Sequence, residues 1–365
     1  MAGVYISYPF CGQKCTYCNF ASGVFPQPLV EGYLAVLGAE IGQHAWKWKP
    51  ETLYLGGGTP GNLHPGDLET LLSAVPGKPW VEATIEAAPG SITQARAEHW
   101  RAAGINRVSL GVQSFVTAEL ARTGRRHDTA TVAREVALLR SAGIHNFNID
   151  LIAGLPGQTL GGWRESLDWI ERLEAPHVSV YMLEIDEDSR LGVEILQGGA
   201  RYGAQDVPSE DTIVEFYETA VEHLRRLGLR RYEISNFARP GFESRHNLKY
   251  WRLEPHVGFG ADAHSSDGVT RSQNVESPAD YVACVERGES PCVETRPADA
   301  AEEKFFVSLR LSDGVRLSSE EKVRFAAPIR RFVGEALLDL QGDTLRLTPK
   351  GILLSNEVLQ EFITL

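Results

Sequence analysis

The first two thirds of the chain alternate between helix-length amphipathic stretches and short β-rich runs. Residues 209–227 show this most clearly, because their apolar side chains fall on one helical stripe that ends at Gly228 before the β-rich run 231–235. Similar units cover residues 91–111 and 130–152. This alternation predicts parallel strands joined by helical crossovers, in an α/β barrel or an open doubly wound sheet. The predicted strands are 4–7, 52–55, 83–87, 105–111, 144–152, 177–185 and 231–235.

Capping signals mark the ends of two predicted helices. The segment Ser91-Ile-Thr-Gln94 has the form of a capping box, and the helix that it opens ends at Ala103-Gly104. Gly143 stands where a C′ glycine is expected after the helical stretch 130–142.

Polar residues and glycines recur where the predicted strands end. Three cysteines follow the first strand and a glycine triplet follows the second, while Glu86, Gln113 and Asp150 lie near the ends of later strands. The carboxyl ends of parallel strands meet on one face, which is where barrels carry their active sites. The sequence therefore predicts a functional site on that face and favours a barrel.

The pattern changes beyond residue 300. Helices are predicted at 301–311, at 318–327 before Pro328 and at 335–340, followed by a turn at 341–343, a strand at 344–347 and a helix start at Thr348-Pro349. Helices followed by a small hairpin resemble a winged-helix module. The segment has no strong basic surplus, so we interpret it as a packing or lid element. The predicted organisation is a barrel at 1–235, a connecting segment at 236–300 and a smaller, mostly helical domain at 301–365.

Composition narrows the class of protein. The 365 residues include 48 acidic and 36 basic side chains, and this formal charge of −12 opposes binding to nucleic acid. No signal peptide is apparent, and no window reaches the ~18 apolar residues that a membrane helix needs. We therefore predict a cytoplasmic protein, in which Cys284 and Cys292 are ordinary reduced thiols.

Cys11, Cys15 and Cys18 form the sequence Cys-x3-Cys-x2-Cys directly behind the first strand. A closed zinc site needs four ligands, and the nearest histidines, His44 and His64, are distant in sequence. An iron-sulfur cluster held by three thiolates instead leaves one iron open to a substrate or cofactor. A zinc site completed by a distant histidine and a chance grouping are the alternatives.

The glycine triplet in Gly56-Gly-Gly-Thr-Pro60 follows the second strand. Glycine permits close approach of the backbone and leaves amide groups free to bind a ligand. The Gly-Lys-Ser/Thr of a phosphate-binding P-loop is missing downstream. Alone the triplet is also typical of a plain tight turn.

Together, Tyr5, the three cysteines and the glycine motif resemble the radical S-adenosylmethionine (SAM) superfamily. The resemblance implies a partial (β/α) barrel, a [4Fe-4S] cluster on Cys11, Cys15 and Cys18, and SAM bound at the open iron. It also implies that electrons come from a low-potential donor. The glycine motif, through Gly57, Gly58 and Thr59, would contact the amino end of SAM.

Further motifs resemble one branch of that superfamily, the oxygen-independent coproporphyrinogen III oxidase-like proteins. The resemblance covers nearly the whole chain. It implies SAM contacts from Tyr5, Tyr17, Glu86, Gln113, Arg125 and Asp150. Carboxylates at strand ends can accept hydrogen bonds from ribose hydroxyls, and Arg125 can offset a carboxylate.

Two features favour the heme chaperones of the branch over its oxidases. The oxidases carry a further cysteine behind the third, whereas Asn19-Phe20 follows Cys18 here. The sequence His246-Asn-Leu-Lys-Tyr-Trp251 matches the HNxxYW motif of the chaperones. The motif implies a heme site formed by His246, Asn247, Tyr250 and Trp251, and the implied partners are heme or porphyrin and acceptor hemoproteins.

One position departs from the family pattern. Family members usually carry histidine four residues before the first cysteine, where this chain has Ser7. Serine cannot titrate near neutral pH, which weakens a decarboxylase more than a chaperone. The alternatives are coproporphyrinogen III oxidase activity and, against the acidic charge, an RNA-modifying radical SAM enzyme.

Overall fold

The structure, a computed structural model, describes residues 2–363. The strands are β1 Gly3–Tyr8, β2 Thr52–Gly57, β3 Glu82–Ala87, β4 Arg107–Gln113, β5 Asn146–Ala153, β6 His177–Met182, β7 Arg230–Arg231, β8 Asn236–Ala238, β9 His256–Phe259, β10 His264–Ser266, β11 Thr270–Asn274, β12 Cys292–Pro297, β13 Val315–Arg316, β14 Leu338–Gln341 and β15 Thr344–Leu347. The helices are α1 Gln27–Gln43, α2 Pro65–Ser73, α3 Gln94–Ala103, α4 Thr117–Arg122, α5 Thr129–Ser141, α6 Leu160–Arg172, α7 Arg190–Leu196, α8 Glu210–Arg226, α9 Arg245–Trp251, α10 Pro278–Glu286, α11 Ala300–Phe306, α12 Ser319–Arg324, α13 Ala326–Gly334, α14 Pro349–Leu353 and α15 Ser355–Gln360. Short 3₁₀ turns lie at Pro60–Asn62, Arg201–Asp206 and Ser308–Arg310.

The six strands β1–β6 form a parallel sheet in chain order, joined by helical crossovers. The sheet does not close on itself, because β1 pairs with β9 on its other side and β6 pairs with β8. Strands β10–β12 extend it antiparallel beyond β9. The predicted parallel arrangement is confirmed.

One face of the parallel strands is polar, although parallel strands are usually apolar on both faces. In β4, Arg107 and Ser109 alternate with Val108 and Leu110, which belong to the buried apolar core. The same alternation recurs in neighbouring strands. Its polar members there are Glu82, Thr84, Glu86, Asn148, Asp150, His177 and Ser179. Because successive side chains point to opposite faces, the apolar set packs in the core and the polar set lines an interior.

The helices cover the apolar face. Ser209 caps the start of helix α8, because its hydroxyl accepts a hydrogen bond from the Thr212 amide, and the helix ends before Gly228 at φ 79°. Its buried residues lie on the predicted stripe. They are Ile213, Phe216, Tyr217, Ala220 and Leu224.

The predicted strand 231–235 is wrong. In this part of the chain, sheet pairing is limited to β7 and β8, and both strands are antiparallel to their neighbours. Between them the Glu233 carboxylate accepts hydrogen bonds from the Ser235 amide at 2.9 Å and from the Asn236 side chain at 2.6 Å. A local bond from side chain to backbone competes with sheet pairing and holds this segment in a bend.

The capping box predicted at Ser91 is also wrong. Thr93 caps α3, accepting a hydrogen bond from the Arg96 amide at 3.2 Å, while the Ser91 hydroxyl donates to the Ala88 carbonyl at 2.7 Å. Both residue types suit a cap, and the loop before α3 decides between them. The strand predicted at 177–185 ends earlier, at Met182.

The C-terminal segment forms its own apolar cluster, from Phe305 to Phe362, around the small sheet β13–β15–β14. The helix predicted at 335–340 is wrong, because Leu338 and Leu340 pair with Leu347 and Leu345 in a hairpin. The predicted stop before Pro328 is wrong as well. Pro328 lies in the first turn of α13, where its missing amide hydrogen costs nothing. The domain boundaries stay a prediction.

Within residues 2–363, no helix is long and apolar enough to cross a bilayer. The five cysteines carry free thiols.

Candidate functional site

A cavity of about 1000 Å³ occupies the polar interior of the sheet. Its wall is built from the cysteine loop, the carboxyl ends of β2–β6, segment 234–236 and the C-terminal domain. Residues 353–357, from the end of α14 into the first turn of α15, contribute to this wall. The C-terminal segment therefore helps to line the cavity.

The cysteine loop forms one end of the cavity, and Cys11, Cys15 and Cys18 all line it. The loop is anchored by hydrogen bonds from the Cys11 amide to the Gly23 carbonyl at 2.8 Å and from the Thr16 amide to the Thr123 carbonyl at 3.3 Å. Burial raises the pKa of the Cys11 thiol, although hydrogen bonds with Thr59 and Ser22 oppose the shift.

The three thiols do not meet at a single point. Among residues 2–363, no three histidine, cysteine or acidic side chains are grouped closely enough for one metal ion. The two histidines considered for a zinc site, His44 and His64, do not line the cavity. A cubane cluster binds each thiolate through a different iron, so a wider spacing of sulfurs on one loop suits it.

The glycine loop packs directly against the start of the cysteine loop. Gly57 has φ 105°, and a Cβ on Gly58 would lie 2.7 Å from the Phe10 carbonyl oxygen. The Thr59 amide donates to that same carbonyl at 3.0 Å. The glycine triplet therefore allows the backbone of this loop to lie against the backbone at Phe10, just before Cys11. Beside this contact, Gly57, Gly58 and Thr59 line the cavity.

Gln113 ends β4 in a strained conformation. Its φ is 72°, and the strand register shifts between Gly111 and Gln113. Bulges next to active sites turn a side chain toward the site. The Arg125 guanidinium donates to the Gly111 carbonyl at 2.6 Å, so Gln113 and Arg125 lie together in the cavity wall.

Three polar atoms in this region are buried without a hydrogen-bond partner among the described residues. They are the Tyr17 hydroxyl, Gln113 Oε1 and Arg125 Nε. Buried polar groups in proteins are nearly always paired, so these atoms indicate a polar ligand at this place. Each belongs to a residue assigned to SAM by the family resemblance.

Glu86 and Asp150 face the cavity from β3 and β5. The Tyr54 hydroxyl donates to Glu86 at 2.7 Å, and Asn148 and Ser109 donate to Asp150 at 2.7 and 3.3 Å. Burial raises the pKa of Glu86 to about 7, assisted by the charge of Asp150 and opposed by the Tyr54 hydrogen bond. Burial also raises the pKa of Asp150.

Tyr5 is the one residue of the predicted SAM set that does not line the cavity. It lies behind the wall, with its ring stacked on Tyr54 at 6.2 Å between centroids. The others, Tyr17, Gly57, Gly58, Thr59, Glu86, Gln113, Arg125 and Asp150, line the cavity together.

The residues assigned to heme lie at the opposite end of the strands from the cysteines. His246 in α9 is 1% exposed, and its Nδ1 and Nε2 are hydrogen-bonded to Thr52 Oγ1 at 2.9 Å and to the Tyr250 hydroxyl at 2.8 Å. The Glu82 carboxylate accepts from the His246 backbone amide at 2.9 Å. Thr52 and Glu82 are the first residues of β2 and β3, so His246 joins α9 to the base of the sheet.

Asn247 lines the cavity, whereas His246, Tyr250 and Trp251 do not. The His246 ring packs on Tyr54 at 5.3 Å, and Tyr54 donates to Glu86. The structure therefore connects the motif to the cysteine side of the cavity through Tyr54 rather than by direct contact.

Several cavity residues were missed by sequence reasoning. Arg107, Ser109, Asn148 and Ser179 line the interior, and Arg310 reaches it from the C-terminal domain. The signal for the first four was present, because they occupy alternate positions in strands that otherwise carry buried apolar residues. Arg310 had no such signal, since its place depends on how the C-terminal domain docks.

Comparison with known proteins places this arrangement in a family. Residues 5–170 match the radical SAM superfamily model, and residues 296–354 match the HemN C-terminal domain. The chain is 33% identical to the protein named "Heme chaperone HemW" of Bacillus subtilis over 381 residues, spanning 100% of this chain and 99% of that protein. This chain belongs to the HemW family.

A second HemW protein, from Lactococcus lactis, is 32% identical and aligns with 98% of this chain and 96% of its own length. The solved structure of HemN from Escherichia coli, described as a coproporphyrinogen III oxidase and radical SAM enzyme, superposes on this HemW-family chain with a TM-score of 0.85. The identity is 23%, over 100% of this chain and 90% of that one. This likeness confirms the predicted partial α/β barrel with an additional C-terminal domain.

Membership of the radical SAM superfamily implies a [4Fe-4S] cluster and SAM for the HemW family. The residues present suit both groups. Three thiols on one loop open into the cavity, and the unpartnered atoms of Tyr17, Gln113 and Arg125 lie in the same region. The resemblance predicted from the motifs is confirmed at the level of the family.

Proposed function

We propose that this chain is a heme chaperone, which binds heme and delivers it to acceptor hemoproteins on a cluster- and SAM-binding scaffold. The full-length similarity to proteins named heme chaperone HemW carries the proposal. The segment Asn19-Phe20, in place of a further cysteine, and the HNxxYW motif support it from the sequence.

In this proposal Cys11, Cys15 and Cys18 hold the cluster, and the eight cavity-lining residues of the SAM set hold SAM. Held there, the two groups would supply low-potential electron transfer and radical chemistry. The strained Gln113 directs its amide into the site, and Glu86 and Asp150 offer acceptors to ribose hydroxyls. Tyr5 contributes by packing on Tyr54, which orients Glu86.

The position of Glu86 predicts that SAM affinity depends on pH. The ionised carboxylate accepts ribose hydrogen bonds, whereas protonation removes an acceptor, and the pKa of Glu86 is about 7. Affinity should therefore rise as pH rises through this value, by about tenfold between pH 6 and pH 8. Anaerobic calorimetry of the cluster-loaded protein measures the change.

Glu86→Gln should bind SAM weakly and lose most of this pH dependence. Glu98→Gln, on the exposed face of α3, should behave like the unaltered protein. A pH-independent SAM affinity in the unaltered protein would show that Glu86 does not serve as the acceptor.

In the proposed heme site, some residues of the HNxxYW motif line the cavity and others lie behind its wall. Asn247 stands in the cavity wall, and Trp251 lies behind it under the Arg310 guanidinium, 4.8 Å from the ring centroid. Burial lowers the pKa of His246 well below its usual value, so its imidazole is neutral and fit to ligate iron once the Tyr250 hydrogen bond opens. While its hydrogen bond to Tyr250 is formed, His246 supports the site by holding α9 to β2 and β3.

The alternative activity is oxidative decarboxylation of coproporphyrinogen III. One anaerobic experiment distinguishes the two, using cluster-reconstituted protein with SAM and a strong reductant. We expect saturable heme binding of one heme per chain and no protoporphyrinogen from added coproporphyrinogen. Steady formation of protoporphyrinogen would contradict the chaperone proposal and support coproporphyrinogen III oxidase activity.

A further inference from the structure

Two arginines that line the cavity, Arg107 and Arg310, belong neither to the proposed cluster ligands nor to the proposed SAM set. We propose that Arg107, with Arg310, forms a carboxylate-binding subsite that takes a propionate side chain of a tetrapyrrole. The inference rests on the proposed function, because it names how the porphyrin's acidic edge is held.

Arg107 is the first residue of β4 and is 2% exposed. Strand register places it beside Thr84 and two residues below the level at which Glu86 pairs with Ser109. The residue lines the cavity, and its Nε has no hydrogen-bond partner within residues 2–363. A buried guanidinium without acceptors is costly, so it requires a compensating anion or water.

The nearest acidic groups do not fill this requirement. The charge of Arg107 lowers the pKa of Glu86 and of Asp150, which places both carboxylates in its vicinity. Yet neither carboxylate is hydrogen-bonded to Arg107 among the described residues, whereas Tyr54 donates to Glu86, and Asn148 and Ser109 donate to Asp150. The fork of donors on Arg107 therefore remains for a group that enters the cavity.

Arg310 supplies a second cation from the C-terminal domain. It also lines the cavity, and its Nε has no hydrogen-bond partner in the described part of the chain. Its closest acidic atom is Glu233 Oε2 at 3.9 Å, beyond hydrogen-bond reach, and its guanidinium stacks on Trp251. Both arginines line the same cavity, although Arg310 is also ion-paired with the buried Glu233, whose Oε2 has no hydrogen-bond partner among the described residues either.

The chemistry of this region selects a carboxylate on a largely apolar body. Guanidinium groups match a planar carboxylate through two parallel hydrogen bonds. The cavity wall also carries apolar side chains that suit a macrocycle. They include Ile152, Met182, Leu183, Ile234 and Leu353. A tetrapyrrole with propionate side chains combines both features.

The test compares protoporphyrin IX with its dimethyl ester, both without iron, so that axial ligation cannot contribute. Each is titrated in the same detergent against SAM-loaded, cluster-loaded protein and against Arg107→Met. We expect the unaltered protein to prefer the free acid by about tenfold to a hundredfold, the strength of a charge-assisted hydrogen-bond pair. Arg107→Met should lose most of that preference while binding the ester as before.

Two further variants make the result specific. Arg107→Lys keeps the charge but not the fork and should recover only part of the preference. Arg226→Gln, on the exposed last turn of α8, is the matched control and should keep the full preference. The ester affinity of Arg107→Met, together with its thermal unfolding temperature, shows whether the variant keeps the folded cavity.

The proposal is overturned if Arg107→Met keeps the preference for the free acid, or if it weakens acid and ester equally. Failure of the unaltered protein to bind either porphyrin also overturns it. Acid preference that depends on Arg107, without transfer of heme to an acceptor, would uphold the subsite and reject the chaperone function. Transfer of heme to an acceptor without any preference for the free acid would uphold the chaperone function and reject the subsite.

Discussion

Replacing Cys15 by serine is expected to abolish the iron-sulfur absorbance of the reconstituted protein. The three thiols lie on one anchored loop at the end of the cavity, and a serine hydroxyl is a poor ligand for cluster iron. No fourth cysteine is near enough to substitute, because Cys284 and Cys292 are outside the cavity lining. Loss of the cluster should also remove the cluster-dependent part of SAM binding.

Cys284→Ser is the matched control, since this thiol is also partly buried but lies in α10. It should retain the full spectrum and the full iron and sulfide content. Chemical analysis of iron and sulfide, with absorbance before and after dithionite, measures both variants. An intact cluster spectrum in Cys15→Ser would contradict the assigned ligands.

His246→Ala is expected to destabilise the fold as well as to weaken heme binding. The substitution leaves the hydroxyls of Thr52 and Tyr250 without their partner and opens a void under Tyr54. We expect a loss of about 3 kcal/mol in the free energy of unfolding, from unpaired polar groups and the cavity. Denaturant unfolding of the protein without heme measures this loss.

His264→Ala is the control, because His264 is exposed in β10 and its replacement should change stability by less than about 0.5 kcal/mol. Equal stability of His246→Ala and the unaltered protein would contradict the structural role of His246.

Tyr250→Phe distinguishes the structural role of His246 from a role as an iron ligand. The variant frees His246 Nε2 while keeping the ring that packs on His256 at 4.7 Å. If His246 binds heme iron, this variant should retain the heme spectrum of the unaltered protein, whereas His246→Ala should shift it.

The parallel core could be predicted from the sequence because each strand is followed by a helix and a turn with its own signal. The sequence predictions fail where hydrogen bonding or strand pairing overrides the local pattern. Glu233 bends the run predicted as a strand at 231–235, and the alternating Leu338 and Leu340 form a hairpin where a helix was expected. In both places hydrogen bonding and pairing, rather than local propensity, decide the structure.

Some residues of the candidate site could be predicted from the sequence, and others could not. Residues near strand ends, such as Gln113 and Asp150, were found because the carboxyl ends of parallel strands meet. Arg107 was missed, although its alternation with apolar neighbours in β4 indicated a polar interior. The enclosed position of His246 could not be predicted either, because its partners Thr52 and Glu82 lie far away in sequence.

Transfer of heme tests the central proposal most directly. The protein is loaded with one equivalent of heme, freed of excess heme by gel filtration, and mixed with apomyoglobin as acceptor. The proposal predicts that heme stays with the chain through filtration and then appears in myoglobin, leaving the cluster spectrum intact. Heme that is lost on filtration, or that remains on the chain in the presence of excess apomyoglobin, would contradict the chaperone function.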